Sequence, residues 1–158
     1  MLRMRAIITS LVLVLSACSG SDLPSGAGSS AATPDAAAPA QQSEAEVLEG
    51  MRSECAASDY MVCDVLYFAA PADSELEAFG DTCGERVSPS GGWCVDQFDV
   101  PLDLGQLQSA CGDGDMVACD GVFIHTEADT TEEAFGQTCG GRIETNRPCV
   151  IELGRFAA

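Results

Sequence analysis

Apolar positions recur at helical spacing in several short segments of the chain. Residues 43–55 carry an apolar side chain every three or four positions, which predicts a helix with one buried face. Ser43 and Glu46 stand three apart at its start, and this spacing is typical of a capping box. Residues 60–70 are apolar nearly all round and predict a buried central helix. The apolar residues of the first helix are Val47, Leu48, Met51 and Cys55.

A third, shorter helix is expected at residues 73–80, with Asp73 as its cap and Gly80 at its end. A turn-rich loop follows, and residues 95–100 then indicate a short extended piece. The same order of segments returns later in the chain. The later segments are 99–111, 116–125, 129–136 and 150–153. In 116–125, a glycine and several β-branched residues leave a short buried strand as the alternative to a helix.

The later segments are a second copy of the earlier ones. When residues 55–87 are shifted by 56 positions, fourteen of the 33 residues are identical, and one residue is lost before the last cysteine. Such self-similarity at a fixed spacing is the mark of a duplicated structural unit. We therefore expect a first cysteine-rich repeat at 43–98 and a second at 99–158. Their apolar central helices should join into one core, because about 50 residues bury little surface alone.

Each repeat carries four cysteines, an even number that predicts disulfides in a small exported domain. Spacing alone leaves three pairings for each repeat: first with second, first with third, or first with fourth. In a continuous helix, residues eight apart lie about 12 Å from each other, so bonding the first pair requires the chain to reverse. The residues between them suit a turn. The eight cysteines are Cys55, Cys63, Cys83, Cys94, Cys111, Cys119, Cys139 and Cys149.

The segment from Cys111 to Cys119, CGDGDMVAC, resembles the C-x7-C hairpin of cysteine-rich secreted helical-repeat proteins, relatives of the tetratricopeptide repeats. In that family the two cysteines join the two helices of one repeat. The resemblance implies bonds between Cys111 and Cys119 and between their counterparts Cys55 and Cys63. The expected fold is therefore mainly α, a small disulfide-stapled tandem repeat of helical hairpins with short extended segments after each unit.

The N-terminus carries Arg3 and Arg5 before an apolar segment of eleven residues, which is too short to span a bilayer. The tetrapeptide Leu-Ser-Ala-Cys that ends at Cys18 resembles the signal of bacterial lipoproteins. This resemblance implies a signal peptide at 1–17 and a lipid on Cys18; the alternative is an ordinary secretory peptide. Residues 18–42 are rich in Ser, Gly, Ala and Pro and predict a flexible, lipid-anchored linker.

The formal net charge is -18, and the chain contains no lysine. Removal of the two signal-segment arginines would bring the net charge to about -20. Such a charge disfavours nucleic acid as a partner. Asp64 and Asp120 are the only charges in the apolar central segments, so each should have a partner. The counterparts Arg86 and Arg142 predict two structural ion pairs, Asp64 with Arg86 and Asp120 with Arg142; the alternative is a ligand-binding carboxylate.

Residues suited to catalysis are sparse. The single histidine, His125, corresponds to Ala69 in the other copy and is expected to be a half-buried structural residue. Trp93 is expected to pack on the Cys83–Cys94 bridge. No metal site, cofactor or catalytic group is predicted. In particular, the acidic cluster near Asp113 lacks the closing Glu of a calcium loop.

These features predict an exported lipoprotein held in the cell membrane through acylated Cys18 and facing the extracytoplasmic side. Its duplicated unit would act as a non-catalytic binding module for an envelope protein or wall component. Two alternatives remain: a carboxylate-based hydrolase or an accessory of a wall-processing enzyme, and a purely structural spacer.

Overall fold

The computed structural model describes residues 42–89 and 91–156, and these residues are mainly helical. The signal segment, the linker and Cys18 lie outside the described residues. Within the described part, eight α-helices follow one another and each repeat supplies four. None of these helices is long and apolar enough to cross a membrane. The helices are α1 (Glu44–Ala56), α2 (Tyr60–Ala69), α3 (Glu75–Asp81), α4 (Cys94–Gln97), α5 (Leu104–Gly112), α6 (Met116–His125), α7 (Thr131–Gln137) and α8 (Cys149–Leu153).

The first two helices of each repeat form a hairpin closed by a disulfide. The Cα atoms of Cys55 and Cys63 lie 4.7 Å apart because the chain reverses between them. At this turn Ser58 has a φ of 77°, and its counterpart Gly114 has a φ of 103°. Residues 116–125 form helix α6, so the alternative of a buried strand is wrong. All four disulfides follow the local pairing: Cys55–Cys63, Cys83–Cys94, Cys111–Cys119 and Cys139–Cys149.

The capping box at the start of α1 is present: the backbone N–H of Glu46 donates to Ser43, and the backbone N–H of Ser43 donates to Glu46. Helix α3 begins two residues later and ends one residue later than the predicted segment 73–80. Ser74, not Asp73, caps α3, since Asp73 adopts a φ of 61° and its N–H donates to the Glu77 carboxylate. Gly80 lies inside α3 rather than at its end.

Gly80 and its counterpart Gly136 let the third helix of each repeat approach the second. A Cβ atom at Gly80 would lie 2.6 Å from the backbone nitrogen of Tyr67 in α2. A Cβ atom at Gly136 would meet the nitrogen of Phe123 in α6 at the same distance. Only a residue without a side chain fits so close a contact between two helix backbones.

The short extended pieces expected after each repeat are instead the helices α4 and α8. Neither Trp93 nor Pro148, the residues before these helices, caps them with a side chain. The acceptors for their first N–H groups come from α2 and α6, as described below. A helix of four or five residues depends on such outside support, because its own hydrogen bonds are too few.

One hydrophobic core serves both repeats. Helices α2 and α6 pack against each other, and residues of both repeats belong to a single buried cluster. At their contact, a Cβ atom on Gly121 of α6 would lie 3.1 Å from the sulfur of Met61. Near the C-terminus, the Arg155 guanidinium donates to both carboxylate oxygens of Glu54 in α1, at 2.7 and 2.6 Å. The largest fully buried side chains include Met51, Leu66, Met116, Val117 and Val150.

Candidate functional site

The two buried aspartates hold the first turns of α4 and α8. Asp64 in α2 accepts the backbone N–H of Cys94 at 2.6 Å and that of Val95 at 3.3 Å, one on each carboxylate oxygen. Asp120 in α6 makes the same two contacts with Cys149 at 2.8 Å and Val150 at 3.0 Å. The aspartates are 1% and 2% exposed. A carboxylate at a helix N-terminus satisfies N–H groups that have no partner within the helix.

The ion pairs predicted for these aspartates are therefore wrong. Arg86 donates instead to the carbonyl oxygens of Cys55, Ala56 and Cys83, at 3.2, 2.7 and 2.8 Å. Arg142 repeats this pattern in the second copy, where it donates to Cys111 and Gly112 at 3.0 and 2.9 Å. The arginines thus donate hydrogen bonds to carbonyl oxygens at the C-terminal ends of α1 and α5. A helix has unpaired N–H groups at its N-terminus and unpaired carbonyls at its C-terminus. The aspartates accept from the former and the arginines donate to the latter, rather than pairing with each other.

In the first copy, the space beside Asp64 is filled by side chains of the chain itself. His125 reaches across from α6, and its Nε2 lies 3.4 Å from Oδ2 of Asp64. Both atoms are buried, and Nε2 has no hydrogen-bond partner among the described residues. The Trp93 ring packs edge-on against His125 with centroids 5.2 Å apart, and against Tyr67 at 6.3 Å. His125 thereby belongs to a contact between the two repeats, and Trp93 is part of it.

Smaller residues occupy the two positions that match His125 and Trp93, and a cavity opens beside one of them, Pro148. Ala69 is the counterpart of His125, and Pro148, which directly precedes Cys149, is the counterpart of Trp93. Phe123 takes the place of Tyr67. The resulting Asp120 cavity has a volume of about 150 Å³. Its lining includes Asp120, the rings of Phe68 and Phe123, Pro148, and the polar residues Gln137 and Arg147.

Burial raises the pKa of Asp120 to about 7, against the two backbone N–H donors of α8, which lower it. Removing a carboxylate from water disfavours its charged form, and two amide hydrogen bonds do not compensate fully. Among the described residues, no side chain donates to Asp120. The carboxyl group can therefore either keep a proton near neutral pH or accept a cation from outside.

Arg147 at the rim of the cavity is already paired. Its guanidinium donates to Glu44 of α1 and to Glu152 of α8, both at 2.9 Å. Its side chain is 56% exposed, so water screens what charge remains. Arg147 therefore does not make the cavity a site for anions.

The described lining of the cavity contains few acidic groups. Asp120 is the single carboxylate among the described residues that line the cavity, whereas glycoside hydrolysis uses two facing carboxylates. Within residues 42–89 and 91–156, no cluster of three or more histidine, cysteine or acidic side chains could hold a metal ion.

Sequence reasoning identified both aspartates but neither the cavity nor the cross-repeat contact of His125. The available signal was the pattern of differences between the copies. Trp93 against Pro148 and His125 against Ala69 are both exchanges of a large ring for a smaller residue. Their proximity in space only became apparent once α2 and α6 were placed together.

In comparisons with known proteins, no family model matches the chain, and no curated protein or solved structure matches it either. Its functional interpretation therefore depends on the site itself.

Proposed function

We propose that this chain is an exported lipoprotein, anchored in the cell membrane through acylated Cys18 and facing the extracytoplasmic side. Its duplicated helical unit is a non-catalytic binding module of the cell envelope, and the Asp120 cavity is its binding site. The partner is a ligand displayed by an envelope protein or a wall component.

One observation carries the binding role: the second copy keeps a cavity over a buried carboxylate where the first copy fills the same place. Cavities and buried charges both reduce the free energy of unfolding. The first copy shows that this fold accommodates Trp93 and His125 at these positions. The opening over Asp120 is thus not required by the architecture, and ligand binding accounts for it.

The cysteine inventory supports the anchored location. The chain has nine cysteines, and four disulfides use the eight that lie in the repeats. Such bonds persist in oxidising compartments outside the cytoplasm. Cys18 is the one left over, and it ends the tetrapeptide that resembles a lipoprotein signal. We also propose that the hairpins are related to the cysteine-rich helical-repeat family that they resemble.

The two alternatives have less support. A carboxylate-based hydrolase needs a second acidic group facing Asp120, and the described lining supplies none. A purely structural spacer gives no reason for the difference between the copies.

The anchor is tested by expressing the full chain and its Cys18→Ser variant in a bacterium fed with an alkyne-labelled fatty acid. We expect the parent chain to be labelled and to sediment with membranes, and the variant to be unlabelled. Labelling of the variant at an equal level would overturn the role of Cys18.

The binding role is tested with the full chain in detergent, using purified wall fragments and solubilised envelope proteins as bait. The key variant is Pro148→Trp, which gives the second copy the tryptophan that the first copy has. Asp64→Asn is the matched control, because it changes the equivalent carboxylate in the copy without the cavity. We expect Pro148→Trp to lose retention at least tenfold and Asp64→Asn to keep it. Equal retention by the parent and Pro148→Trp would refute the assignment of the cavity.

A further inference from the structure

We propose that the Asp120 cavity binds a small planar organic cation with N–H donors, such as an imidazolium, guanidinium or amidinium group, in the place that the His125 ring takes beside Asp64 in the first copy. This inference rests on the proposed function, which makes the cavity the binding site, and it adds the chemical class of the ligand.

The first copy provides the template. There, a planar nitrogen ring from the chain itself lies 3.4 Å from the buried carboxylate of Asp64. The aromatic edge contact with Trp93, at 5.2 Å and an interplanar angle of 65°, fixes that ring. The second copy repeats the carboxylate and its two backbone donors, but Ala69 has no ring to offer. The second copy therefore lacks the planar nitrogen-bearing ring that lies beside the carboxylate in the first.

The volume and walls of the cavity suit one small ring or fork. Cavities of about 150 Å³ in other proteins hold a single benzene molecule. Phe68 and Phe123 line the site with ring centroids 5.5 Å apart and planes inclined by 44°. Aromatic faces attract organic cations through their quadrupole, and the attraction strengthens where water is excluded.

The hydrogen-bonding capacity of Asp120 also points to a donor. Each carboxylate oxygen accepts one backbone N–H, while an ionised carboxylate offers about four acceptor positions. A planar group with two N–H donors can use the remaining positions, as arginine does in forked carboxylate pairs. Burial keeps the pKa of Asp120 at about 7, so a bound cation would replace the proton.

The charge of the chain favours a cation over an anion. Twenty-five acidic residues face seven arginines, and Arg147, which lines the cavity, is already shared between Glu44 and Glu152. A field of this sign raises the local concentration of cations and repels anions.

The test is a titration of the full chain in detergent, followed by ¹H–¹⁵N NMR at neutral pH. The two probes are 4-methylimidazole, which copies the histidine side chain, and methylguanidinium, which is charged at every practical pH. The reporters are the backbone N–H groups of Cys149 and Val150, with those of Cys94 and Val95 as the internal control. Toluene is the control for size without charge, and acetate is the control for an anion.

We expect both cations to shift Cys149 and Val150 in a saturable way and to leave Cys94 and Val95 unchanged. Toluene and acetate should bind at least tenfold more weakly. The ligand class is wrong if neither cation saturates, if toluene binds as tightly as the cations, or if both copies respond equally.

Two exchanges between the copies sharpen the test. Ala69→His introduces an imidazole at the position that corresponds to His125, and we expect it to weaken methylguanidinium binding at least tenfold. His125→Ala should open the equivalent space over Asp64, so that Cys94 and Val95 now respond to the probe. This gain of a second site keeps the inference testable even if Ala69→His does not fold; no response at Cys94 in a folded His125→Ala chain would contradict it.

The outcomes separate this inference from the proposed function. If Pro148→Trp abolishes capture of envelope material while neither cation binds, the cavity is the binding site and only the ligand class is wrong. If Pro148→Trp has no effect on capture and no cation binds, both proposals fail.

Discussion

Asp120 should make the fold less stable as the pH rises from about 4 to about 7. Two effects on this carboxyl group oppose each other. The backbone N–H groups of Cys149 and Val150 favour the ionised form, whereas burial favours the neutral form and dominates, raising the pKa from 3.8 to about 7. The folded chain consequently holds the proton more tightly than the unfolded chain.

The size of the effect follows from this shift. Because one pKa unit corresponds to about 1.36 kcal/mol, the rise in the pKa of Asp120 contributes on the order of 4 kcal/mol to the free energy of unfolding at low pH. Its sign is fixed by linkage: the contribution is fully present below the unfolded pKa and is lost as the pH rises through the folded pKa. The loss therefore falls in the window between the two values, 3.8 and about 7.

The assay is urea-induced unfolding of the oxidised chain across that pH window, for the parent and for Asp120→Asn. Other carboxyl groups contribute to the pH dependence of both chains, so the informative quantity is the difference between their free energies of unfolding. The asparagine changes the offset by altering the hydrogen bonds to α8, but it cannot titrate. We expect the stability of the parent relative to Asp120→Asn to fall with rising pH and then to level off.

A relative stability that rises with pH would refute the reasoning. That outcome would mean that the N–H donors of α8 outweigh burial, as at an exposed helix N-terminus. The Asp120 carboxyl group would then be fully ionised at neutral pH without any ligand.

Further predictions concern the packing and the staples. Gly136→Ala should lower the free energy of unfolding by about 1–3 kcal/mol, because its Cβ would meet the Phe123 nitrogen at 2.6 Å. Gly50→Ala in α1, where the new Cβ would have no atom within 4 Å, should raise the free energy of unfolding by up to about 1 kcal/mol. Thermal unfolding measures both, and equal effects would contradict the close approach of α7 to α6. Arg142→Met should cost about 1–3 kcal/mol by leaving carbonyls of α5 unpaired, while Arg147→Met at the surface should cost at most about 1 kcal/mol; urea unfolding of both variants decides, and a larger loss for Arg147→Met would contradict this ranking. Peptide mapping without reduction should recover four local pairs, and any bond between the repeats would contradict the fold: Cys55–Cys63, Cys83–Cys94, Cys111–Cys119 and Cys139–Cys149.

Local patterns predicted the hairpins well because their causes lie close together in the sequence. The apolar spacing of α1, the capping box at Ser43 and the turn before Asp59 all act within one or two helical turns. The disulfide pairing was different, since spacing allowed three solutions for each repeat. The structure contains the local solution, which the turn at Ser58 makes possible.

The helices α4 and α8 could not be predicted from their own residues. Each has only four or five residues, and its first N–H groups depend on an aspartate about 30 positions earlier. This separation along the chain is also why the ion-pair prediction was wrong. Matching Asp64 with Arg86 by charge ignored the backbone groups at helix ends, to which both side chains are hydrogen-bonded.

The Asp120 cavity depends on contacts across the two repeats, which no local pattern encodes. Even so, the duplication leaves a trace that can be read in sequence once the fold is known. In a duplicated unit, the positions that remain alike serve the shared architecture: both aspartates bind helix N-termini, and both arginines bind helix C-termini.

Positions that differ between the copies are free of that requirement, so they can carry what is particular to one copy. Trp93 of the first copy and His125 of the second fill the space around Asp64. In the second copy, Pro148 lines an open space beside Asp120, and such a space costs packing energy. The chain thus contains its own control: the space beside one carboxylate is filled by the chain itself, and the space beside the second is open to a ligand.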